Sequence, residues 1–195
     1  MTYYSTDPNK LFLEPRYPAN KEFEDPIEEA FLKGGIFVDM GCGDKKIHSA
    51  FIGVDPYIDC PEVNVKAYMW DTPFEDNSID LLTCFSALEH VSKFNVQPTL
   101  KEFARILKPG GLAGIIVPNL IHAFLEWVEK QSNGYDMDMI FGTQEHEGEY
   151  HRTGFSVPLI IKYFANIPEF KLDNIWDVNG YAQWNYGIIA RKLDK

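Results

Sequence analysis

The chain has 195 residues, of which 45% are hydrophobic and 24% charged, enough to bury one proper core and too few for a second full domain. Its formal net charge of −11 repels phosphate backbones and disfavours nucleic acid as a partner. Three unevenly spaced cysteines, Cys42, Cys60 and Cys84, form no C-x-x-C pair, so neither a disulfide framework nor a cysteine zinc site is expected and a reducing cytoplasm fits best.

Residues 1–24 mix Pro8, Pro15 and Pro18 with Tyr3, Tyr4, Phe12 and Tyr17. This is the composition of an extended arm that packs its aromatics on something, ahead of a single domain over 25–195. The first residues lack a basic-then-apolar signal pattern, and no apolar run approaches the roughly 18 residues of a membrane helix. Asp25-Pro26-Ile27-Glu28 reads as a helix start, with Asp25 as N-cap and proline in the first turn, and Gly34-Gly35 ends that helix. IFVDM (36–40) and FIGVD (51–55) read as buried parallel strands, followed by VNVKAYM (63–69) and IDLLTCF (79–85). Leu100, Phe103, Ala104 and Leu107 recur at helical spacing from near Pro98, and Lys108-Pro109-Gly110-Gly111 reads as the helix stop and a tight turn. LAGIIVP (112–118) is the next strand and 121–131 the next helix. Residues 132–155 are polar without clear periodicity and read as a loop or lid, with Gly142 and Gly148 as pivots. A helix from Ser156 to Phe164 and two strands, 171–178 and 184–192, around a turn at Asn179-Gly180 close the chain. Strands alternating with helices imply a largely parallel α/β sheet.

Between the first two strands stands VDMGCGDKKIHSAFIGVDP. A strand, a glycine turn and a second strand ending in a carboxylate is the plan by which open α/β sheets bind nucleotides. A dinucleotide turn needs a third glycine where this chain has Lys46, and a full helix before the acidic residue; Asp55 comes too early for one. Asp39 before the turn would repel a phosphate and attract a cation. S-adenosylmethionine suits this turn, since it carries a sulfonium, an ammonium and two ribose hydroxyls, and no phosphate.

The chain resembles the class I S-adenosylmethionine-dependent methyltransferases, in particular their type 11-like domain with a short first-motif loop. Val38-Asp39-Met40-Gly41-Cys42-Gly43 is similar to the family's first motif and Asp55 to its ribose acid. TPFEDNSIDLLTCFSALEHV with LKEFARILKPGGLAGIIVPN resembles its fourth strand, fourth helix and fifth strand, and HRTGFSVPLIIKYFANIPEF the approach to its sixth. Members often carry a third glycine where this chain has Lys45, and a full helix before the second strand.

The resemblance implies a Rossmann-like, doubly wound, mostly parallel seven-stranded sheet with helices on both faces. It implies cofactor contacts from Asp39, Gly41, Cys42, Gly43, Asp55, Pro56, Tyr57 and Ser86. The acid that commonly meets the adenine is replaced by Tyr68, and Asp71 is the nearest carboxylate that could take its place. The implied reaction is methyl transfer to an oxygen or nitrogen of a small-molecule acceptor, with His90 or His151 as candidate base. Cys42 contributes backbone only. His146 and His151 in HEGEYH tempt a metal reading, but H-E-x-x-x-H lacks the i, i+4 spacing that puts two histidines on one helical face, and no metal is expected there. Two rivals share the fold. A non-catalytic cofactor-binding partner subunit would lack polar residues at the acceptor mouth, and an aminopropyl-transfer enzyme would show paired carboxylates near the fourth strand.

Overall fold

The computed structural model describes residues 9–11, 21–130, 134–178 and 184–194. Most of the N-terminal arm, the turn at Asn179-Gly180 and the first two residues of the 132–155 segment lie outside the described residues. Seven strands form one sheet: β1 Phe37–Met40, β2 Ile52–Val54, β3 Val63–Val65, β4 Ile79–Phe85, β5 Leu107–Pro118, β6 Phe170–Val178 and β7 Asn185–Lys192. Their order is β3-β2-β1-β4-β5-β7-β6. β1 to β5 pair in parallel, and β7 runs antiparallel to both β5 and β6.

Both faces of the sheet are covered, which is why the central strands are continuous apolar runs. Neighbouring residues on a strand enter opposite cores. Phe37, Leu81, Leu112 and Ile189 pack with α1 (Lys21–Leu32), whereas Val38, Leu82, Ala113 and Ile188 pack with α2 (Val96–Ile106) and α5 (Val157–Ala165). Gly114 lets α1 approach β5 closely, because a Cβ there would lie 2.5 Å from Ile27 Cδ1. Leu11 of the arm is fully buried in the same core as α1.

Four expected boundaries move. α1 begins at Lys21, with Pro26 inside it, because the buried stripe is Phe23, Ile27 and Phe31. A helix starting at Asp25 would leave Phe23 without its place on that face. β3 ends at Val65, where the chain leaves the sheet and turns back at the Tyr68–Asp71 bridge. α2 runs directly into β5 at Leu107, and the expected KPGG turn is an irregularity within β5: Ile79 pairs with Leu107 but Leu81 with Leu112, with Gly110 at φ 77°. The 132–155 segment contains a helix, α4 Tyr135–Phe141, whose seven residues are too few for a 3.6-residue period to stand out. α3 spans Leu120–Lys130. Among the described residues no helix is long and apolar enough to cross a membrane.

Candidate active site

The strand order reverses between β1 and β4, each side of which leaves its carboxyl end facing the same crevice. The chain turns there at Gly41 (φ 69°) and Gly43 (φ 58°). A Cβ on Gly41 would lie 2.4 Å from the Ala87 Cβ, so this position admits no side chain. Opposite, Ser86 follows β4 with φ 50°, a left-handed conformation rare outside glycine and typical of strained functional positions. Its N–H donates to the Ile116 carbonyl at 2.9 Å.

A cleft of ≈ 360 Å3 opens between these turns, within the range of about 300–1,000 Å3 for small-molecule sites. Gly41, Cys42, Gly43, Asp55, Pro56, Tyr57 and Ser86 all line it. The Cys42 thiol is pushed up to about 12, first by burial and then by Asp39, which leaves it a thiol and no nucleophile.

Asp55 is 7% exposed and held by three backbone N–H groups. Its Oδ1 accepts the N–H groups of Tyr57 (2.8 Å) and Ile58 (3.0 Å), and its Oδ2 accepts Gly43 N–H (3.1 Å). A carboxylate offers about four acceptor positions, so one remains, on Oδ2.

Two other candidates lie elsewhere. Asp39 is buried and does not line the cleft; its carboxylate accepts Ile47 N–H at 2.8 Å and the Thr83 hydroxyl at 2.7 Å. It ties the short 44–50 loop to β1 and β4, in place of the missing helix, and burial raises its pKa to about 6. Asp71 is exposed and is likewise no part of the cleft wall. The Tyr68–Asp71 bridge turns Tyr68, Met69 and Trp70 inward, and the Tyr68 and Trp70 rings stack at 4.6 Å and 11°. That aromatic pair was missed in the sequence, where only its alternate spacing, Y-x-W, signals it.

A further wall comes from the long segment: His146, Gly148, Glu149 and Arg152 line the cleft. Gly148 packs on Tyr57, its absent Cβ being 2.8 Å from that ring. The end of the segment is stitched to the 3-10 turn Leu88–His90 that follows β4. The Glu89 carbonyl accepts Arg152 and Thr153 N–H groups at 2.8 and 3.0 Å, and Thr153 Oγ1 donates to the Val91 carbonyl at 2.7 Å. This stitching brings together His90 and His151, the two candidate bases, whose rings meet edge-on with centroids 4.8 Å apart. His90 lines the cleft. Burial lowers the pKa of His90, and burial with the neighbouring His90 lowers that of His151 to about 4. Glu89, 1% exposed, is pushed up to about 8 by burial. His146 stands apart, with its Nδ1 accepting Gly148 N–H and Nε2 3.3 Å from Glu149.

The parallel sheet with an antiparallel β7 and the glycine turn at its switch point define the Rossmann-like fold of the class I methyltransferase type. Residues 38–115 match the family described as a methyltransferase domain. No curated protein matches the chain. Among solved structures, a Methanosarcina mazei S-adenosylmethionine-dependent methyltransferase is 18% identical with a TM-score of 0.61, over 87% of this chain and 98% of its own. The Burkholderia thailandensis 1,6-didemethyltoxoflavin-N1-methyltransferase, bound to 1,6-didemethyltoxoflavin and S-adenosylhomocysteine, is 16% identical with a TM-score of 0.60, over 89% and 78%. A Haloferax volcanii methyltransferase, solved with the Trm112 methyltransferase activator, is 18% identical with a TM-score of 0.56, over 89% and 93%. The match to the methyltransferase domain thus covers the segment from β1 into β5, and the fold is the one seen in these S-adenosylmethionine-dependent methyltransferases.

Proposed function

We propose that the protein transfers the S-adenosylmethionine methyl group to an oxygen or nitrogen of a small-molecule acceptor. The observation that carries this reading is that one cleft is lined by Asp55, Tyr68 and Trp70, by the Gly41–Gly43 turn and by His90. The adenosine stacks beside Tyr68 and Trp70, one ribose hydroxyl donates to Asp55 Oδ2, and the methionine part lies along the glycine turn and Ser86. Asp39 is a positioning residue that fixes the turn from behind.

Methyl transfer from a sulfonium is an in-line displacement on an electrophile that the cofactor has already activated. The protein's share is alignment, exclusion of water and removal of a proton from the acceptor. His90, which lines the cleft, or His151 beside it accepts that proton. Residues 142–152 cover the acceptor. Incubation with methyl-labelled S-adenosylmethionine and a metabolite pool tests the reading: labelled small-molecule product is expected. Label confined to protein, or cofactor binding without any transfer, would overturn it.

A further inference from the structure

Glu89, His90 and His151 each present one ligand atom, and the three atoms lie within 4.8 Å of one another. The Glu89 Oε2 is buried without a hydrogen-bond partner, which native structures rarely tolerate unless the atom has a use. Its other oxygen, Oε1, is 4.0 Å from His151 Nε2. Each imidazole is held from behind: His90 Nδ1 faces the Tyr150 carbonyl at 3.2 Å and His151 Nδ1 the Met139 carbonyl at 3.0 Å. A carbonyl only accepts, so each Nδ1 carries the proton, which leaves His151 Nε2 a lone pair; the His90 ring also has the Ser86 backbone within reach. Metal-ligating histidines are oriented in this way. The surrounding field favours a cation, since Glu149 acts on all three groups and Asp138 on His151.

We propose that Glu89, His90 and His151 bind one divalent first-row transition metal ion, as a two-histidine, one-carboxylate face open toward the acceptor end of the cleft. Two imidazoles select Zn2+, Fe2+ or Mn2+ over Mg2+ and Ca2+, which take oxygen ligands. Bonds of about 2.1 Å place tetrahedral ligand atoms about 3.4 Å apart, so loading draws the three side chains inward by small torsional changes. The ligands come from the turn after β4 and from the far end of the long segment, so no local spacing announces them.

What the ion does rests on the methyl-transfer reading; that it binds does not. An acceptor hydroxyl coordinated to it loses its proton to solvent. The oxygen then forms the bond to the methyl carbon while the carbon–sulfur bond breaks, its electron pair passing to sulfur to leave neutral S-adenosylhomocysteine. The two histidines hold the ion in place of the proton.

The test is titration of the chelator-treated full chain with Zn2+ by calorimetry and with Co2+ by visible absorption. One equivalent is expected at micromolar Kd or tighter, with cobalt d–d bands and a thermal midpoint raised by Zn2+. Glu89→Gln and His151→Ala should each weaken Zn2+ binding by at least about 100-fold, beyond the 10- to 100-fold typical of outer groups, and His122→Ala should leave it unchanged. Absence of stoichiometric binding to the wild-type chain overturns the proposal, as does binding that survives both substitutions. Glu89→Gln keeps the side-chain shape should His151→Ala fail to fold. S-adenosylhomocysteine affinity, measured on the same samples, separates the two readings. Lost metal with retained nucleoside binding removes the ion alone, and the converse removes the cofactor assignment alone.

Discussion

Gly41 and Gly43 share a positive φ for different reasons, and substitution should separate them. A Cβ at Gly41 meets Ala87 and Met69, at 2.4 and 3.0 Å, whereas one at Gly43 meets nothing within 4 Å. Gly43→Ala should therefore cost only the left-handed backbone, about 1–2 kcal/mol. Gly41→Ala adds a backbone-to-core clash and should destabilise by more, read from urea unfolding of the two variants; equal losses would show that the Ala87 contact yields freely. Asp55 teaches a related lesson. Replacing it with alanine strands three backbone N–H groups, so Asp55→Asn is the cleaner probe of the ribose. A charge-assisted hydrogen bond contributes about 1.5–3 kcal/mol, and calorimetry on Asp55→Asn should find S-adenosylhomocysteine bound at least tenfold more weakly. The glycines and Asp55 are legible in the sequence because turn chemistry is local. The burial of Asp39 and the meeting of Glu89 with His151 are not, since they depend on which way a side chain points after tertiary contacts form.

Elements are held by buried polar staples with opposite responses to pH. Glu102 on α2 accepts Thr72 N–H and hydroxyl at 2.9 and 2.6 Å and two bonds from Arg105 at 2.8 and 2.7 Å, which clamps the segment carrying Trp70. Burial opposes its ionisation, but the Arg105 and Thr72 hydrogen bonds overcome this and lower its pKa. The stability it contributes is present above the unfolded value of about 4.3 and is lost as pH falls through the folded one. Asp39 works in reverse: with a folded pKa of about 6, its contribution is present below about 3.9 and is lost as pH rises through 6. Unfolding free energy measured from pH 3 to 7 (a range of about 4 units) should thus flatten below pH ~4.3 in Glu102→Gln and between pH ~4 and ~6 in Asp39→Asn. An unaltered slope in either variant would remove that assignment. In the long segment, hydrogen exchange should split. Amides of 151–153, bonded to the Phe141 and Glu89 carbonyls, should exchange slowly, and those of 143–148 should gain protection only with cofactor product bound. Strand and helix types are legible here because periodicity is strong; α4 and the start of α1 are not, being too short or set by a distant apolar stripe.

At the scale of the molecule, the sheet order follows from alternating strands and helices, and the family resemblance carried the seven-strand topology and the cofactor. The antiparallel placement of β7 has a consequence for synthesis. β5 pairs with β4 and β7, and β6 pairs with β7. On the ribosome, β6 emerges before the strand that must join it to the sheet. Until β7 appears, β5 is an open edge of apolar residues and β6 has no partner, a template for pairing between nascent chains. Addition of β6 and β7 is therefore a single late insertion of an antiparallel pair, not a stepwise addition. A chain deleted of residues 185–192 should retain helical signal yet aggregate on refolding; recovery of a monomer would show that β1 to β5 close without it. Translation speed through codons 170–192 then becomes a determinant of yield, although no described residue among them lines the cleft.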